Sequence, residues 1–120
     1  MEQEKSFWES EAELYVDECR MRASSVRASE FASRMQRSPA QLAREFSASA
    51  GRCVKDYLLT LQIAWARELL RTTDSSTARI AIQTGFGTVR SFYRAFRRCT
   101  GESPTEYRKE MSLAAREGRN

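Results

Sequence analysis

Arg90, Arg94, Arg97 and Arg98 recur at short helical spacings between Val89 and Gly101, with Arg79 eleven residues upstream. From Ser75 to Gly101 the sequence contains no Asp or Glu. A guanidinium offers a planar fork of donors that matches a phosphate or the edge of a guanine. A run of arginines with no carboxylate to neutralise it is suited to a phosphate backbone. The residues needed for other chemistry are missing. No histidine is present, which removes the commonest general base and the usual nucleophile dyads. Cys19, Cys53 and Cys99 are scattered, with no C-x-x-C pair, so neither a zinc site nor a disulfide framework is expected. No Gly-rich phosphate loop occurs. The expectation is a binding protein with no catalytic residues, no metal and no cofactor.

Totals agree with that. The chain has 120 residues, a net charge of +4 and a pI near 9.2. Residues 1–18 hold seven acids and one lysine; the other 102 carry 19 bases and nine acids. An acidic partner therefore suits everything beyond the first segment. The apolar fraction of 41% supports a core. The cysteines are expected to serve as small core residues in a reducing compartment. No signal peptide and no apolar run of membrane length is seen, so no membrane partner is expected.

The elements that must carry the arginines follow from periodicity. No apolar/polar alternation of useful length is bounded by turns, so the fold is expected to be all-α. Helices are predicted over 10–23, 28–35, 38–50, 54–71, 78–84, 88–98 and 104–115. Residues 1–9 are expected to be an acidic lead-in, with Phe7 and Trp8 its only large apolar groups, and 116–120 a loose tail. Ser38-Pro39-x-Gln41 and Ser103-Pro104-x-Glu106 are helix starts: a capping hydroxyl, a preset φ, and a side chain reaching back. Gly51 and Gly101 are helix stops. Gly85 supplies a turn with easy positive φ. In the third helix Leu42, Ala43, Phe46 and Ala50 share one face, opposite Ala40, Gln41, Arg44 and Ala48. In the sixth, Thr88, Phe92, Ala95, Phe96 and Cys99 face Arg90, Tyr93, Arg94 and Arg97 across the helix. Ile80, Ala81 and Ile82 are expected to point inward from the fifth.

The 54–71 segment carries two apolar stripes. Val54, Tyr57, Leu58, Leu61, Trp65 and Leu69 form one; Leu59, Ile63, Ala66 and Leu70 form the other. Both must be buried, so this helix, about 27 Å long at 1.5 Å per residue, is expected to serve two small units. Those units repeat. Leu42 pairs with Phe92, Arg44 with Arg94, Phe46 with Phe96, Gly51 with Gly101 and Tyr57 with Tyr107, all 50 apart. Upstream, Phe31 pairs with Ile80 and Ala32 with Ala81 at an offset of 49, and the difference falls in a turn. The expected divisions are a lead-in 1–9, a first helix-turn-helix subdomain 10–52, a linker helix 53–72, a second subdomain 73–115 and the tail.

Ile80, Ala81, Gly85, Phe86, Phe92, Arg94, Phe96, Arg97, Arg98, Gly101, Pro104, Tyr107 and Arg108 form a pattern that resembles the AraC/XylS family of bacterial transcription regulators. The first unit is similar through Ala32, Ser38, Leu42, Arg44, Phe46, Gly51 and Tyr57, and the linker through Ala66, Leu69 and Leu70. Two departures stand out: Gln36 where the family usually has Gly, and Gln62 where it often has Arg. No companion ligand-binding domain precedes the pattern, so the chain resembles the short, single-domain kind.

The resemblance implies two recognition helices that enter successive major-groove segments of double-stranded DNA about 34 Å apart. It implies a monomer on DNA and a place in the bacterial cytoplasm, on the nucleoid. Ala40, Gln41 and Arg44 fall at the base-contacting positions of the first helix, and Val89, Arg90, Tyr93 and Arg94 at those of the second. Gln41 suits adenine and Arg44 guanine or phosphate; Val89 suits a thymine methyl. Arg97 and Arg98 are better placed for phosphate, with Arg37 and Arg79 as further backbone contacts. Arg94 has a rival role as a brace of the fold. A second reading keeps the fold but makes it a module for another protein, such as RNA polymerase or another regulator. The acidic start and the alanine-rich third helix motivate it.

Overall fold

The computed structural model describes residues 5–117, and the expectations for 1–4 and 118–120 lie outside it. The described residues form seven α-helices and no strand: α1 (Phe7–Arg22), α2 (Ala28–Arg34), α3 (Pro39–Ala50), α4 (Val54–Thr72), α5 (Thr77–Gln83), α6 (Val89–Thr100) and α7 (Pro104–Glu117). They fall into two compact units, and the boundary lies inside α4, between Leu61 and Gln62.

The first unit holds α1 to α3 and the start of α4. Its core combines Tyr15, Phe31, Leu42, Phe46, Val54, Tyr57 and Leu58 with the small residues Ala12, Cys19 and Ala32. Tyr15 stacks on Phe31 at 5.4 Å. Its hydroxyl accepts from the Arg27 amide at 3.0 Å and donates to the Glu30 carboxylate at 2.8 Å. α1 is thereby fixed to the start of α2. The second unit closes around Ile63, Ala66, Leu70, Ile80, Ala81, Phe86, Phe92, Phe96 and Tyr107. Its rings pack edge to face: Phe92 on Phe96 at 5.7 Å and Phe96 on Tyr107 at 5.6 Å. Full burial of each phenylalanine contributes about 1.5–3 kcal/mol.

The two stripes of α4 are used in sequence along its length. Val54, Tyr57 and Leu58 are buried in the first unit; Ile63, Ala66 and Leu70 are buried in the second. Leu59, Leu61, Trp65 and Leu69 are half-buried.

Several boundaries and faces differ from expectation. α1 begins at Phe7, because Ser6 and Glu9 form a capping box that satisfies two free backbone amides. It ends at Arg22, and Ala23 turns left-handed at φ 53°. Ile82, expected inward, is 66% exposed, since Ile80 and Ala81 alone fill the inner face of α5. Only Cys19 is a core cysteine; Cys53 precedes α4 and Cys99 lies near the end of α6, both exposed. Thr88 is the exposed N-cap of α6, its Oγ accepting from the Ser91 amide, and Ala95 is half-buried. Ala43 is exposed and Ala50 half-buried, leaving Leu42 and Phe46 as the buried face of α3. α7 continues to Glu117, beyond the 104–115 expected.

Candidate nucleic-acid interface

The two helix-turn-helix units share their backbone hydrogen bonds. In the first, the Gln36 amide donates to Ser33 O and the Arg37 amide to Ala32 O, at 3.0 and 2.9 Å. In the second, the Gly85 amide donates to Ile82 O and the Phe86 amide to Ala81 O, at 3.1 and 3.0 Å. Each is a Schellman motif with one left-handed residue, and the positions differ by 49. Gly85 has φ 85° and Gln36 φ 58°. The missing glycine has therefore not changed the turn: Gln36 adopts the glycine conformation. The second connection, 84–88, is one residue longer than the first, 35–38, which moves the offset to 50. Gly51 and Gly101 close α3 and α6 alike, both left-handed, their amides donating to Ser47 O and Arg97 O.

α6 is built to present arginine on one side. Phe92 and Phe96, four residues apart, are fully buried, which fixes the helix rotation. Arg90, Arg94, Arg97 and Arg98 are consequently exposed, and so is Val89. Arg90, Arg94 and Arg97 pair with no carboxylate among the described residues. The helix N-terminus is capped by a neutral hydroxyl, so no acid counters the adjacent positive potential. Acids resume at Glu102, whose carboxyl lies above its ordinary range, first through desolvation and then through the neighbouring Glu110.

Tyr93 differs from the other candidates. It is half-buried, and its hydroxyl lies 2.9 Å from Thr77 Oγ1 and 3.3 Å from Thr105 Oγ1. It ties α6 to the first residues of α5 and α7. Two further residues hold this unit in shape. Gln62 is buried and donates from Nε2 to Thr84 O at 3.1 Å, in the connection between α5 and α6. Arg108 donates to Leu70 O and Thr73 O, both at 3.1 Å, closing the end of α4. The Tyr-Arg pair in the motif is a signal for Arg108, and the departure from the family's arginine is one for Gln62.

The first unit is electrostatically quieter. Ala40, Gln41 and Arg44 are exposed on α3, and Arg44 pairs with no carboxylate among the described residues. Gln41 is partly committed: its Oε1 accepts the Ser38 amide at 3.0 Å in the capping box. Arg37 is held. Its Nε donates to Glu45 at 2.7 Å, a second nitrogen reaches Met35 O at 3.1 Å, and its guanidinium lies 5.8 Å from the Trp8 ring centre. Arg79, at the start of α5, is exposed.

Known proteins carry the same arrangement. The family profile described as "Helix-turn-helix domain" matches residues 31–110. The HTH-type transcriptional regulator Rv1931c of Mycobacterium tuberculosis is 36% identical over 86 residues, which is 72% of this chain and 33% of that protein. The Msm operon regulatory protein of Streptococcus mutans is 31% identical over 88 residues, 73% of this chain and 32% of that one. The chain thus spans about a third of the length of these curated relatives. The C-terminal domain of AraT, a response regulator from Geobacillus stearothermophilus, aligns with a TM-score of 0.76 at 26% identity, covering 90% of this chain and 88% of that one. The DNA-binding domain of AdpA, solved in complex with a target DNA, aligns at 0.73 and 25%, covering 91% and 97%. The paired turns, the shared α4 and these matches together place the chain in the AraC/XylS family of helix-turn-helix transcriptional regulators.

Proposed function

We propose that the chain binds double-stranded DNA in a sequence-specific manner, as a monomer, with α3 and α6 in successive major-groove segments, and that it thereby regulates transcription. The observation that carries this reading is the exposed face of α6 formed by Arg90, Arg94 and Arg97, which pair with no carboxylate among the described residues and are rotated outward by the buried Phe92 and Phe96. A second copy of the turn geometry in the first unit supports a bipartite reader, since two heads on one chain need no dimer axis.

Roles divide by position. Arg90 and Arg94 read base edges near the start of α6, with Val89 against a thymine methyl. Arg97 and Arg98 hold the phosphate backbone, with Arg79 beside them. Tyr93 keeps α6 at its angle through Thr77 and Thr105, and this positioning role replaces direct base contact. On α3, Arg44 and the side-chain amine of Gln41 read bases, and Ala40 permits close approach. Arg37, which Glu45 and Trp8 hold, makes no DNA contact in this reading.

The test is a pair of substitutions on a selected duplex site. Arg90→Ala is expected to cost about 1–3 kcal/mol on the preferred site and relax the choice of base there. Arg97→Ala is expected to weaken all duplexes alike and lower the salt slope by about one. If neither variant alters binding, the assignment of α6 fails. The reading as a module for another protein draws on the quiet first unit; a ratio near one between selected and random duplex would favour it.

A further inference from the structure

The two units repeat in backbone but differ at one packed position. In the second, Tyr93 spans the gap from α6 to Thr77 at the start of α5 and Thr105 at the start of α7. The residue 50 positions earlier is Ala43, and the partners of the tyrosine hydroxyl correspond to Ala28 and Lys55. Where the tyrosine would sit, the first unit has an open groove of about 510 Å³. Ala28, Pro39, Leu42, Ala43, Val54 and Lys55 line it. Its walls are mainly apolar side chains, and Lys55, the counterpart of the hydroxyl partner Thr105 in the other unit, borders it. That volume falls within the range of about 300–1,000 Å³ typical of small-molecule sites.

We infer that this groove is a binding site for a single-ring phenol, which takes the place that Tyr93 fills in the second unit. The ring lies against Ala28, Pro39 and Ala43, in the space that the tyrosine ring fills in the other unit. The phenol oxygen accepts from Lys55, an ammonium that can only donate. A toluene-like ring lacking the oxygen leaves that donor unused and binds more weakly. The ligand lies behind Pro39 and Ala43 on the first turns of α3, beside Ala40 and Gln41. The inference concerns binding to the chain alone and stands whether or not α3 reads DNA.

The probe is p-cresol, the tyrosine side chain as a free molecule, and Cys53 is the reporter, because its exposed thiol also borders the groove. Alkylation by iodoacetamide is followed at Cys53 and at Cys99, which is exposed in the other unit. p-Cresol is expected to slow alkylation of Cys53 several-fold and saturably, to leave Cys99 unchanged, and to act at lower concentration than toluene. Ala43→Tyr is expected to protect Cys53 without ligand and to abolish the p-cresol effect; if it fails to fold by circular dichroism, Ala43→Leu serves the same purpose. Lys55→Met is expected to remove the preference for p-cresol over toluene. Equal protection of both thiols, no protection, equal action of toluene on the unmodified chain, or full p-cresol protection in a folded groove-filling variant would each overturn the site.

Discussion

At Gln36, a side chain occupies a backbone conformation that its counterpart Gly85 occupies freely. A non-glycine left-handed residue costs about 1–2 kcal/mol, and glycine loses about 0.4–1 kcal/mol more backbone entropy on folding. Gln36→Gly should therefore stabilise the chain by about 0.5–1 kcal/mol, seen as a higher urea midpoint at unchanged m-value. Tyr15 gives a pH signature. Burial holds its hydroxyl pKa above the ordinary 10.0, with the Cys19 thiol and the Glu30 carboxylate acting in the same direction. Folded Tyr15 stays neutral where unfolded Tyr15 ionises. Its contribution is fully present below pH 10.0 and is lost as pH rises above it. The urea midpoint should fall in that alkaline range, and fall less in Tyr15→Phe. The surface arginines were legible in the sequence because composition and helical period suffice to find them. The capture of Arg37 by Trp8 and Glu45, and of the Tyr93 hydroxyl by Thr77 and Thr105, were not. Those partners lie eight to 29 residues away, and no local pattern encodes them.

Among the elements, α6 depends on what sets its angle to α5. Gln62 from α4 reaches the Thr84 carbonyl in their connection, and both residues are buried. Gln62→Leu removes that donor and leaves a buried carbonyl unpaired, a cost of about 1–3 kcal/mol. Thermal unfolding should show the loss, and a selected DNA site should lose more affinity than random duplex, because base reading needs the angle and phosphate grip tolerates its loosening. Helix identity and order were readable from caps, glycines and apolar spacing, and the start of α7 at Pro104 followed the Ser103–Glu106 signal. The early start of α1 carried the same signal in Ser6 and Glu9, but an acidic stretch follows it, so apolar periodicity did not extend there. Residue type points Ile82 inward and helical spacing puts Cys99 on the side of Phe92 and Phe96, whereas the inner faces of these short helices are filled by two residues each: Ile80 and Ala81, Phe92 and Phe96.

On the scale of the whole molecule, charge and repeat act together. Acids concentrate in residues 1–18 and are absent from 75–101, so positive charge is least opposed in the second unit. Salt should weaken binding steeply, and neutralising Arg97 and Arg98 together should lower the slope of log K against log salt by about two. The presence of two units is legible in the repeat, because matched cores, stops and arginines recur in order. The groove beside Ala43 was not legible, since it arises from what the second unit has and the first lacks. In the proposed function, two unlike heads on one chain read one duplex. Selection of binders from random duplex DNA, followed by sequencing and by sizing of the complex, tests it most directly. The expected result is an asymmetric consensus with two segments about one helical turn, roughly 10 base pairs, apart, bound by one chain, the segment that tolerates least variation being lost in Arg90→Ala. Enrichment of no sequence, or of a palindrome bound by two chains, would contradict it.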